Sequence, residues 1–327
     1  MTTVSTVRGP VPVEELGFTL MHEHVVNVNP EIARDQPAMS IMADRAALRR
    51  EVAAELRRVA SAGVQTLVDA TAVGHGRDTA FLAEVNAEAD LHIIVSTGIY
   101  TFDQLPKIFH YRGPTAAYPR DVLTELFVRD IRDGIAGTGI RAGIIKVATD
   151  APGLTADVER ALRSAAAAHR ETGVPITTHT AVAYRNGLDQ QRVFTQEGVD
   201  LRRVVIGHSG DSDDFDYLRR LLDAGSFIGA DRFGLYQPGR PTREQRLATV
   251  VRLCELGYAA QVVLSHDKTI RTDWYFDEST VFPRQWHQTH LTDEVLPALL
   301  TAGVTPEQIQ QMTVDNPRRV FAAQEPY

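Results

Sequence analysis

Two histidines separated by one residue, His22 and His24, are the first sign of chemistry in this sequence. They directly follow an apolar run at residues 18–21 that has the composition of a buried strand. Side chains two positions apart point to the same side of an extended chain, so both imidazoles can reach one ion. The pair therefore predicts two metal ligands, although the same spacing also occurs in ordinary strands.

Four further polar side chains occupy the same kind of position, at or just after the end of an apolar run. They are Lys146, His179, His208 and Asp267. Taken singly, such a histidine is more often hydrogen-bonded at a strand end, an aspartate can cap a helix, and a lysine can form an ion pair. The carboxyl ends of the strands in a closed barrel, however, surround a single mouth. In an open sheet the first and last strands would lie far apart, so the whole pattern favours a closed sheet as well as a metal site.

These groups are more numerous than one tetrahedral ion needs. Four imidazoles, a carboxylate and a lysine suit two divalent ions about 3.5–4 Å apart, which need a bridging group. Lys146 lies in the apolar run at residues 143–148, and only two other lysines, Lys107 and Lys268, occur beside 31 arginines. A lone ammonium in such a strand would be costly. Reaction with carbon dioxide would convert it to a carbamate, whose two oxygens and negative charge can bridge two cations.

Length and composition limit the class of protein. The chain has 327 residues, of which 43% are hydrophobic and 23% charged, with a formal net charge of −8. This composition is typical of a globular protein. The acidic net charge argues against a nucleic-acid partner. No apolar run reaches membrane-spanning length. The polar N-terminus does not resemble a signal peptide, and the single cysteine, Cys254, excludes an internal disulfide. We expect a cytoplasmic enzyme that acts on a small molecule.

Short apolar runs alternate with longer helical patterns along the whole chain. Several of the runs are apolar at successive positions, as in parallel strands buried on both faces. The predicted strands cover residues 18–21, 66–69, 92–96, 144–147, 175–178, 204–207, 226–230 and 262–265. The predicted helices cover residues 43–62, 121–133, 156–172, 213–224, 243–256, 292–302 and 306–314.

Eight strand–helix units in about 300 residues predict an α/β fold, a (β/α)8 TIM barrel. The alternative is an open doubly wound sheet. Its nucleotide-binding form is disfavoured because neither a Gly-x-Gly-x-x-Gly nor a Walker-type loop follows the first strand. No linker or repeat divides the chain, so we expect a single domain over residues 1–327. It would have an N-terminal extension at 1–16 and a long apolar loop at 268–290 after the eighth strand.

Residues beside the predicted ligands are candidates for substrate contacts. Tyr100 follows the third strand, and Arg232 follows the seventh. The loop at 268–290 holds both tryptophans, and three of its aromatic side chains are candidates: Trp274, Phe276 and Phe282. A long apolar loop at a catalytic mouth can line a channel for an acyl tail. The alternatives are that Tyr100 packs at a strand end, that Arg232 forms a structural ion pair with Asp231 or a nearby acid, and that the loop is a dimer surface.

Several segments together resemble one known family. They are residues 17–24, 97–100, 145–148, 206–208, 231–235 and 265–267, which read GFTLMHEH, TGIY, IKVA, IGH, DRFGL and SHD. The chain is similar to the phosphotriesterase family of the amidohydrolase superfamily, and it most resembles the phosphotriesterase-like lactonases. The similarity extends from about residue 8 to residue 321.

The resemblance implies a binuclear metal centre built from six of these side chains. The more buried ion would be held by His22, His24 and Asp267, and the more exposed ion by His179 and His208. Lys146, carbamylated to N6-carboxylysine, would bridge the two together with a hydroxide. Zinc is the metal that we expect first, and the ligand types also suit cobalt, manganese or iron.

The resemblance also implies a hydrolase. The hydroxide would attack a carbonyl or phosphoryl centre, with Asp267 taking its proton and with Tyr100 and Arg232 contacting the substrate. We expect a homodimeric lactonase with weak phosphotriesterase activity, acting on N-acyl-homoserine lactones, and hence in quorum quenching, or on other γ- and δ-lactones. A dedicated phosphotriesterase and an amide or ester hydrolase of another small metabolite are the alternatives. A non-catalytic binding barrel is disfavoured, because all six ligand types are present.

Overall fold

Nine parallel strands form one continuous curled sheet. This computed structural model describes residues 2–275, 277–322 and 325–327. Within them lie eleven strands: β1 (Thr3–Thr6), β2 (Gly9–Pro12), β3 (Thr19–Asn27), β4 (Thr66–Asp69), β5 (His92–Gly98), β6 (Ile144–Thr149), β7 (Ile176–Thr180), β8 (Val204–Ile206), β9 (Phe227–Ala230), β10 (Val262–Leu264) and β11 (Thr269–Thr272). Strands β1 and β2 form an antiparallel hairpin, and the others are hydrogen-bonded in the order β10-β9-β8-β7-β6-β5-β4-β3-β11.

The sheet closes because two consecutive strands share its eighth position. Strand β10 pairs with β9 at one edge, and β11 pairs with β3 at the other edge. In the short break between β10 and β11, the Asp267 amide donates to the His22 carbonyl, and the His24 amide donates to the Lys268 carbonyl. These bonds continue the sheet across the gap. The predicted (β/α)8 barrel is thereby confirmed, and the open doubly wound sheet is excluded.

The helices lie outside the strands, and most begin at a side-chain cap. Those in the described residues are α1 (Pro30–Asp35), α2 (Arg45–Ser61), α3 (Thr79–Asn86), α4 (Lys107–Tyr111), α5 (Val122–Arg132), α6 (Ala156–Thr172), α7 (Gly187–Gln196), α8 (Phe215–Asp223), α9 (Arg243–Glu255), α10 (Glu278–Val281), α11 (Leu296–Thr301), α12 (Pro306–Gln310) and α13 (Asn316–Phe321). The first five predicted helices match α2, α5, α6, α8 and α9 closely. Each begins after an aspartate or threonine whose side chain accepts an N-terminal amide. None of the described helices is both long and apolar enough to cross a membrane.

The two C-terminal helices, predicted at 292–302 and 306–314, are interrupted by wider turns. Leu291–Val295 forms a π-helical turn before α11, and Gln311–Asp315 forms another between α12 and α13. Pro297 and Pro317 occupy the second position of the helix that follows each turn. Because proline has no amide hydrogen, it cannot donate to the carbonyl four residues earlier, and the preceding turn widens.

Several short elements escape sequence reasoning. Hairpin β1–β2 lies in the N-terminal extension, and β11 and α10 lie inside the loop at 268–290. Helices α1, α3, α4 and α7 also lie in segments where no element was predicted. A strand of four residues or a helix of fewer than three turns has too few positions to show a clear hydrophobic period. Strand β11 exists because it pairs with β3, a partner more than 200 residues away in sequence.

Side chains alternate between two cores along each barrel strand. In β5, Ile93 and Val95 pack against the helices, whereas Ile94 faces the interior of the barrel. The interior cluster is Val4, Val13, Leu16, Met21, Val68, Ile94, Ile144, Val205, Phe227, Val263, Val320 and Phe321. By the same period of two, Lys146 faces inward, two residues beyond Ile144. Apolar side chains therefore fill one end of the barrel, and the carboxyl ends of the strands present polar ones.

Ile94→Ala tests the interior core. Ile94 is fully buried, so the substitution should lower the free energy of unfolding by about 2–5 kcal/mol through lost contacts and a residual cavity. Chemical denaturation followed by tryptophan fluorescence measures the change. Ile108→Ala, at a side chain that is 51% exposed, is the matched control and should change the stability by less than about 0.5 kcal/mol. Equal effects of the two substitutions would contradict this assignment of the core.

Candidate metal centre

Three histidines at the barrel mouth each have one ring nitrogen that faces an outer group. His24 Nδ1 lies 2.8 Å from Thr71 Oγ1, and His208 Nδ1 lies 2.8 Å from Asp231 Oδ1. His22 Nδ1 lies 3.3 Å from the other carboxylate oxygen of Asp231. A hydroxyl or carboxylate at one ring nitrogen directs the other nitrogen inward, an arrangement typical of metal ligands.

The inward nitrogens of these histidines surround the carboxylate of Asp267. His24 Nε2 lies 3.3 Å and His22 Nε2 lies 3.5 Å from Asp267 Oδ1, and His208 Nε2 lies 3.7 Å from Oδ2. His22 Nε2 is also 2.6 Å from Lys146 Nζ. His208 Nε2 is buried, and no described residue offers it a hydrogen bond. A buried nitrogen without a partner is costly, and an ion at this point would supply one.

His179 lies beside this group, but its Nε2 forms a hydrogen bond with Asp150, which is not part of the group. Nε2 is 2.7 Å from Asp150 Oδ2, and the ring centroid is 4.6 Å from that of His208. With Nε2 held by Asp150, Nδ1 is the nitrogen available to an ion shared with His208. The structure thus brings the six predicted ligand residues to one mouth. Their tightest group is His22, His208 and Asp267, whose ligand atoms lie within 4.8 Å of one another.

Burial favours the neutral form of His179 and His208, while neighbouring charges keep the carboxylate of Asp267 ionised. Burial lowers the pKa of His179 to about 4 and holds the pKa of His208 well below its usual value. Burial alone would raise the pKa of Asp267, but His208 and Arg232 hold it well below its usual range. Neutral imidazoles and an ionised carboxylate have the free electron pairs that a divalent cation binds. The donor set therefore fits a metal ion.

Asp231 is the common support of two of these imidazoles. Besides the two rings, its buried carboxylate accepts the backbone amide of His208 at 2.9 Å. A Cβ at Gly229 would lie 2.1 Å from Asp231 Oδ2, so glycine is required to make room for the carboxylate. From sequence, Asp231 was considered only as a partner for Arg232. The structure gives it a different part, that of orienting His22 and His208.

A buried carboxylate on strand β3 fixes the backbone around Asp267. Glu23 accepts hydrogen bonds from Ser265 Oγ at 2.7 Å, from the His266 amide at 2.8 Å and from His266 Nδ1 at 2.7 Å. It also accepts the Lys268 amide at 3.2 Å. Asp267, flanked by these bonds, has a φ of +54°, in the left-handed region that is unfavourable for residues other than glycine. Glu23 therefore offsets the strain that turns the Asp267 side chain into the mouth.

Arg232 joins Asp267 to a second layer of charges. Its Nε donates to Asp267 Oδ2 at 2.9 Å, and its Nη1 lies 3.5 Å from Asp211 Oδ2. Arg246 in α9 is buried and donates to Asp211 Oδ1 at 2.9 Å. It also donates to the backbone carbonyls of Arg232 and Leu235. The ion pair considered as an alternative for Arg232 is thus present, with Asp267 and Asp211 as partners, and it directs the guanidinium to the site.

Aromatic side chains form a wall of the cavity next to these ligands. The His75 ring stacks on Tyr100, at 4.1 Å, and on Trp274, at 4.8 Å between centroids, and the Tyr100 and Trp274 centroids are 6.3 Å apart. The cavity has a volume of about 150 Å³ and is also lined by Phe282. Of the five predicted substrate contacts, Tyr100, Arg232, Trp274 and Phe282 therefore line it. The fifth, Phe276, lies outside the described residues.

The arrangement of ligands around one barrel mouth can be compared with known proteins. A model of the phosphotriesterase family matches residues 2–321. The chain belongs to the phosphotriesterase family. It is 48% identical over 329 residues to the phosphotriesterase homology protein of Mycobacterium tuberculosis, with 100% of both chains covered. It is 38% identical over 314 residues to the aryldialkylphosphatase of Saccharolobus solfataricus, with 94% of this chain and 96% of that one covered.

A solved structure of the family has the same fold. The phosphotriesterase from Mycobacterium tuberculosis superposes with a TM-score of 0.95 at 47% identity, over 99% of this chain and 100% of that one. Like its relatives in the phosphotriesterase family, this protein is a hydrolase. The family consists of binuclear metal enzymes, and the His/Asp cluster at the mouth can hold a metal ion.

Asp231→Asn tests the support of the imidazoles. The substitution keeps the size of the side chain but removes the charge next to His22 and His208. We expect metal affinity and activity to fall about 10–100-fold, the usual effect of losing a group that orients a ligand. The metal content after dialysis, measured by mass spectrometry, checks this. Asp216→Asn, at an exposed position of α8, is the control, and an unchanged metal content in Asp231→Asn would refute the orienting role.

Proposed function

We propose that this protein is a lactonase with a lesser phosphotriesterase activity. Its substrates would be N-acyl-homoserine lactones, with quorum quenching as the consequence, or other γ- and δ-lactones. The observation that carries the proposal is the cavity in which Asp267 and Arg232 face Tyr100 and Trp274. Its volume of about 150 Å³ suits a small ring better than a bulky triester. Polar groups at one side of the cavity and aromatic rings at the other suit a lactone with an apolar substituent.

The six ligand residues would hold two divalent ions. His22, His24 and Asp267 would form one site, and His179 and His208 would form the other, with Lys146 between them. Zinc is the metal that we propose, and the donor atoms also suit cobalt, manganese or iron. When bound, two such ions supply a hydroxide near neutral pH and polarise the oxygen of the electrophile.

Lys146 is suited to become the bridging carbamate. It is 1% exposed, and burial lowers its pKa to about 8. A carbamate forms when the neutral amine attacks carbon dioxide and then loses a proton, so the lowered pKa favours the reactive form. The product is an anion, whereas the amine is otherwise a buried cation 2.6 Å from His22 Nε2. Carbamylation would therefore replace a buried cation with an anion that two divalent ions can neutralise, and it would add two oxygen ligands.

The chain's own groups have distinct parts in the reaction. Asp267 is ionised and lies among the imidazoles, where it can take the proton of the attacking hydroxide and pass it to the leaving ring oxygen. Arg232 holds that carboxylate in place at 2.9 Å. Burial raises the pKa of Tyr100 above its usual value, so its hydroxyl stays protonated and can donate to the substrate's carbonyl oxygen. In a lactone the leaving oxygen stays attached to the product.

A groove next to the cavity offers room for an acyl tail. This second cavity, of about 910 Å³, shares Trp274 and Tyr275 with the first. Ile32, Met39 and Ile41 line one part of it, and charged side chains such as Arg271 and Asp273 line another. A tail that leaves the ring past Trp274 would lie on these apolar side chains.

The same apolar side chains also suit a contact between two copies of the chain. The proposal therefore includes a homodimer, and light scattering can measure its mass. It also includes a cytoplasmic location and no nucleic-acid or membrane partner.

Two relatives favour other substrate classes. The aryldialkylphosphatase of Saccharolobus solfataricus is named for a phosphotriester, and the N-acetyltaurine hydrolase of Tetraodon nigroviridis is named for an amide. The second is 25% identical over 354 residues, with 96% of each chain covered. A dedicated phosphotriesterase and an amide hydrolase are therefore the alternatives to be separated from a lactonase.

A substrate series separates these three functions. We expect kcat/KM for lactones to exceed that for an activated phosphotriester and for N-acetyltaurine by about 100-fold or more, a difference of some 2.7 kcal/mol in transition-state binding. The rate should rise with acyl length until the groove is filled. Protein stripped with a chelator is the control and should be inactive until metal is restored. A higher kcat/KM for the phosphotriester or the amide would replace the proposed function with that alternative.

Lys146→Ala tests the carbamate. Without the bridging oxygens we expect a loss of bound metal and a fall in activity of about 100-fold or more. Propionate or another short carboxylate should restore part of both, because it can fill the vacated space and supply two oxygens. Lys107→Ala, at an exposed position, is the control. Two ions and a full rate in Lys146→Ala would refute the bridging role.

A further inference from the structure

Arg240 lies where the cavity at the ligands meets a second, polar cavity. The first has a volume of about 150 Å³ and the second of about 640 Å³, and His179, Arg232 and Arg240 line both. The polar cavity is formed mainly by the segments that follow β7, β8 and β9. The groove proposed for an acyl tail is lined by different segments of the chain. A ligand bound at the metal centre can therefore extend past Arg240 without entering that groove.

Arg240 is the surplus cation of a small cluster of charges. Three guanidiniums approach the carboxylate of Asp211: Arg246 at 2.9 Å, Arg232 at 3.5 Å and Arg240 at 3.9 Å. Arg246 and Arg232 are the nearer partners of the two oxygens, and Arg232 is also paired with Asp267. The distant approach to Asp211 is the one salt bridge of Arg240 within the described part of the chain.

The other acidic residues of the polar cavity do not neutralise Arg240. Asp150 is paired with His179, and Asp214 is paired with Arg185. Asp213 is exposed to solvent. Burial, followed by the neighbouring Arg232, lowers the pKa of Arg240 from its usual value, as occurs for a cation that lacks a full counter-charge. The side chain is nevertheless 39% exposed, so a ligand can reach it from solvent.

We propose that Arg240 binds a carboxylate of the substrate. The proposal rests on the proposed lactonase function and narrows it to γ- and δ-lactones other than N-acyl-homoserine lactones, which have no free carboxylate. The substrate is a lactone that carries a carboxylate on the side of the ring facing the polar cavity. A guanidinium offers two parallel N–H donors that match the two oxygens of a carboxylate. Arg232 adds a second positive charge beside it. The groove and the polar cavity, which are lined by different residues, would then orient two different substituents of one ring.

A pair of substrates that differ only in charge tests this proposal. One is a γ-lactone with a carboxylate on the ring carbon next to the ring oxygen, and the other has a carboxamide there. We expect the wild-type enzyme to prefer the carboxylate by about tenfold or more in kcat/KM, the usual strength of a charge-assisted bond. Arg240→Gln should abolish most of that preference through a higher KM. Arg243→Gln removes the same charge from α9, outside both cavities, and should keep it.

Two outcomes of the kinetics overturn the proposal. A wild-type enzyme without preference for the carboxylate has no such subsite. A preference that is equally large in the wild type and in Arg240→Gln arises elsewhere, for example at the metal ions. The preference should also weaken with added salt, because Arg240 is partly exposed and its charge is screened.

Binding of inert analogues separates this proposal from the lactonase proposal. Cyclopentanecarboxylate and cyclopentanecarboxamide have no ester bond, and calorimetry measures their Kd on the zinc-loaded protein. We expect Arg240→Gln to raise the Kd of the carboxylate about tenfold or more and to change that of the carboxamide far less. Equal Kd values for the carboxylate in wild type and variant would overturn the subsite. If binding depends on Arg240 but no lactone is hydrolysed, the lactonase proposal fails and the anion subsite stands.

Discussion

The break in the eighth barrel strand is the constraint on which the site depends. A closed barrel needs this strand to pair with β9 on one side and β3 on the other, and the chain does so with β10 and β11 in turn. The residues between them have amides that the sheet alone cannot satisfy. Glu23 accepts two of these amides, and the carbonyl of His22 accepts the amide of Asp267. The hydrogen bonds that close the barrel therefore also position Asp267.

Charge at the mouth is arranged in alternating layers from the centre outward. Asp267 lies among the imidazoles, Arg232 lies behind Asp267, Asp211 lies behind Arg232, and Arg246 lies behind Asp211. A buried charge with no partner would cost several kcal/mol, so each layer requires the next. This explains why the whole side chain of Arg246, including its guanidinium, is buried beneath the segment that carries Arg232. The network holds the pKa of Asp267 well below its usual range, so that its carboxylate stays ionised.

The barrel mouth is chemically divided. The rings of Tyr100, His75 and Trp274 form an aromatic wall that leads towards the groove. Arg232 and Arg240 lie instead where the mouth opens into a polar cavity. Polar groups at one side and aromatic rings at the other can hold a small ring in one orientation, since each substituent has only one favourable direction. Specificity within the phosphotriesterase family would here follow from this division more than from the shared ligand set.

The sequence by itself determined strands β3 to β10, five of the helices that follow them, and the positions of the candidate ligands at the strand ends. These properties depend on local periods, on helix caps such as Thr155, and on the direction of side chains along a strand. Only the tertiary structure decided which groups support the ligands. Asp231 reaches His22 across the barrel, and Glu23 bonds to residues more than 240 positions away in sequence. Long-range hydrogen bonds and buried charge pairs leave no periodic trace, because their partners become neighbours only when the barrel closes.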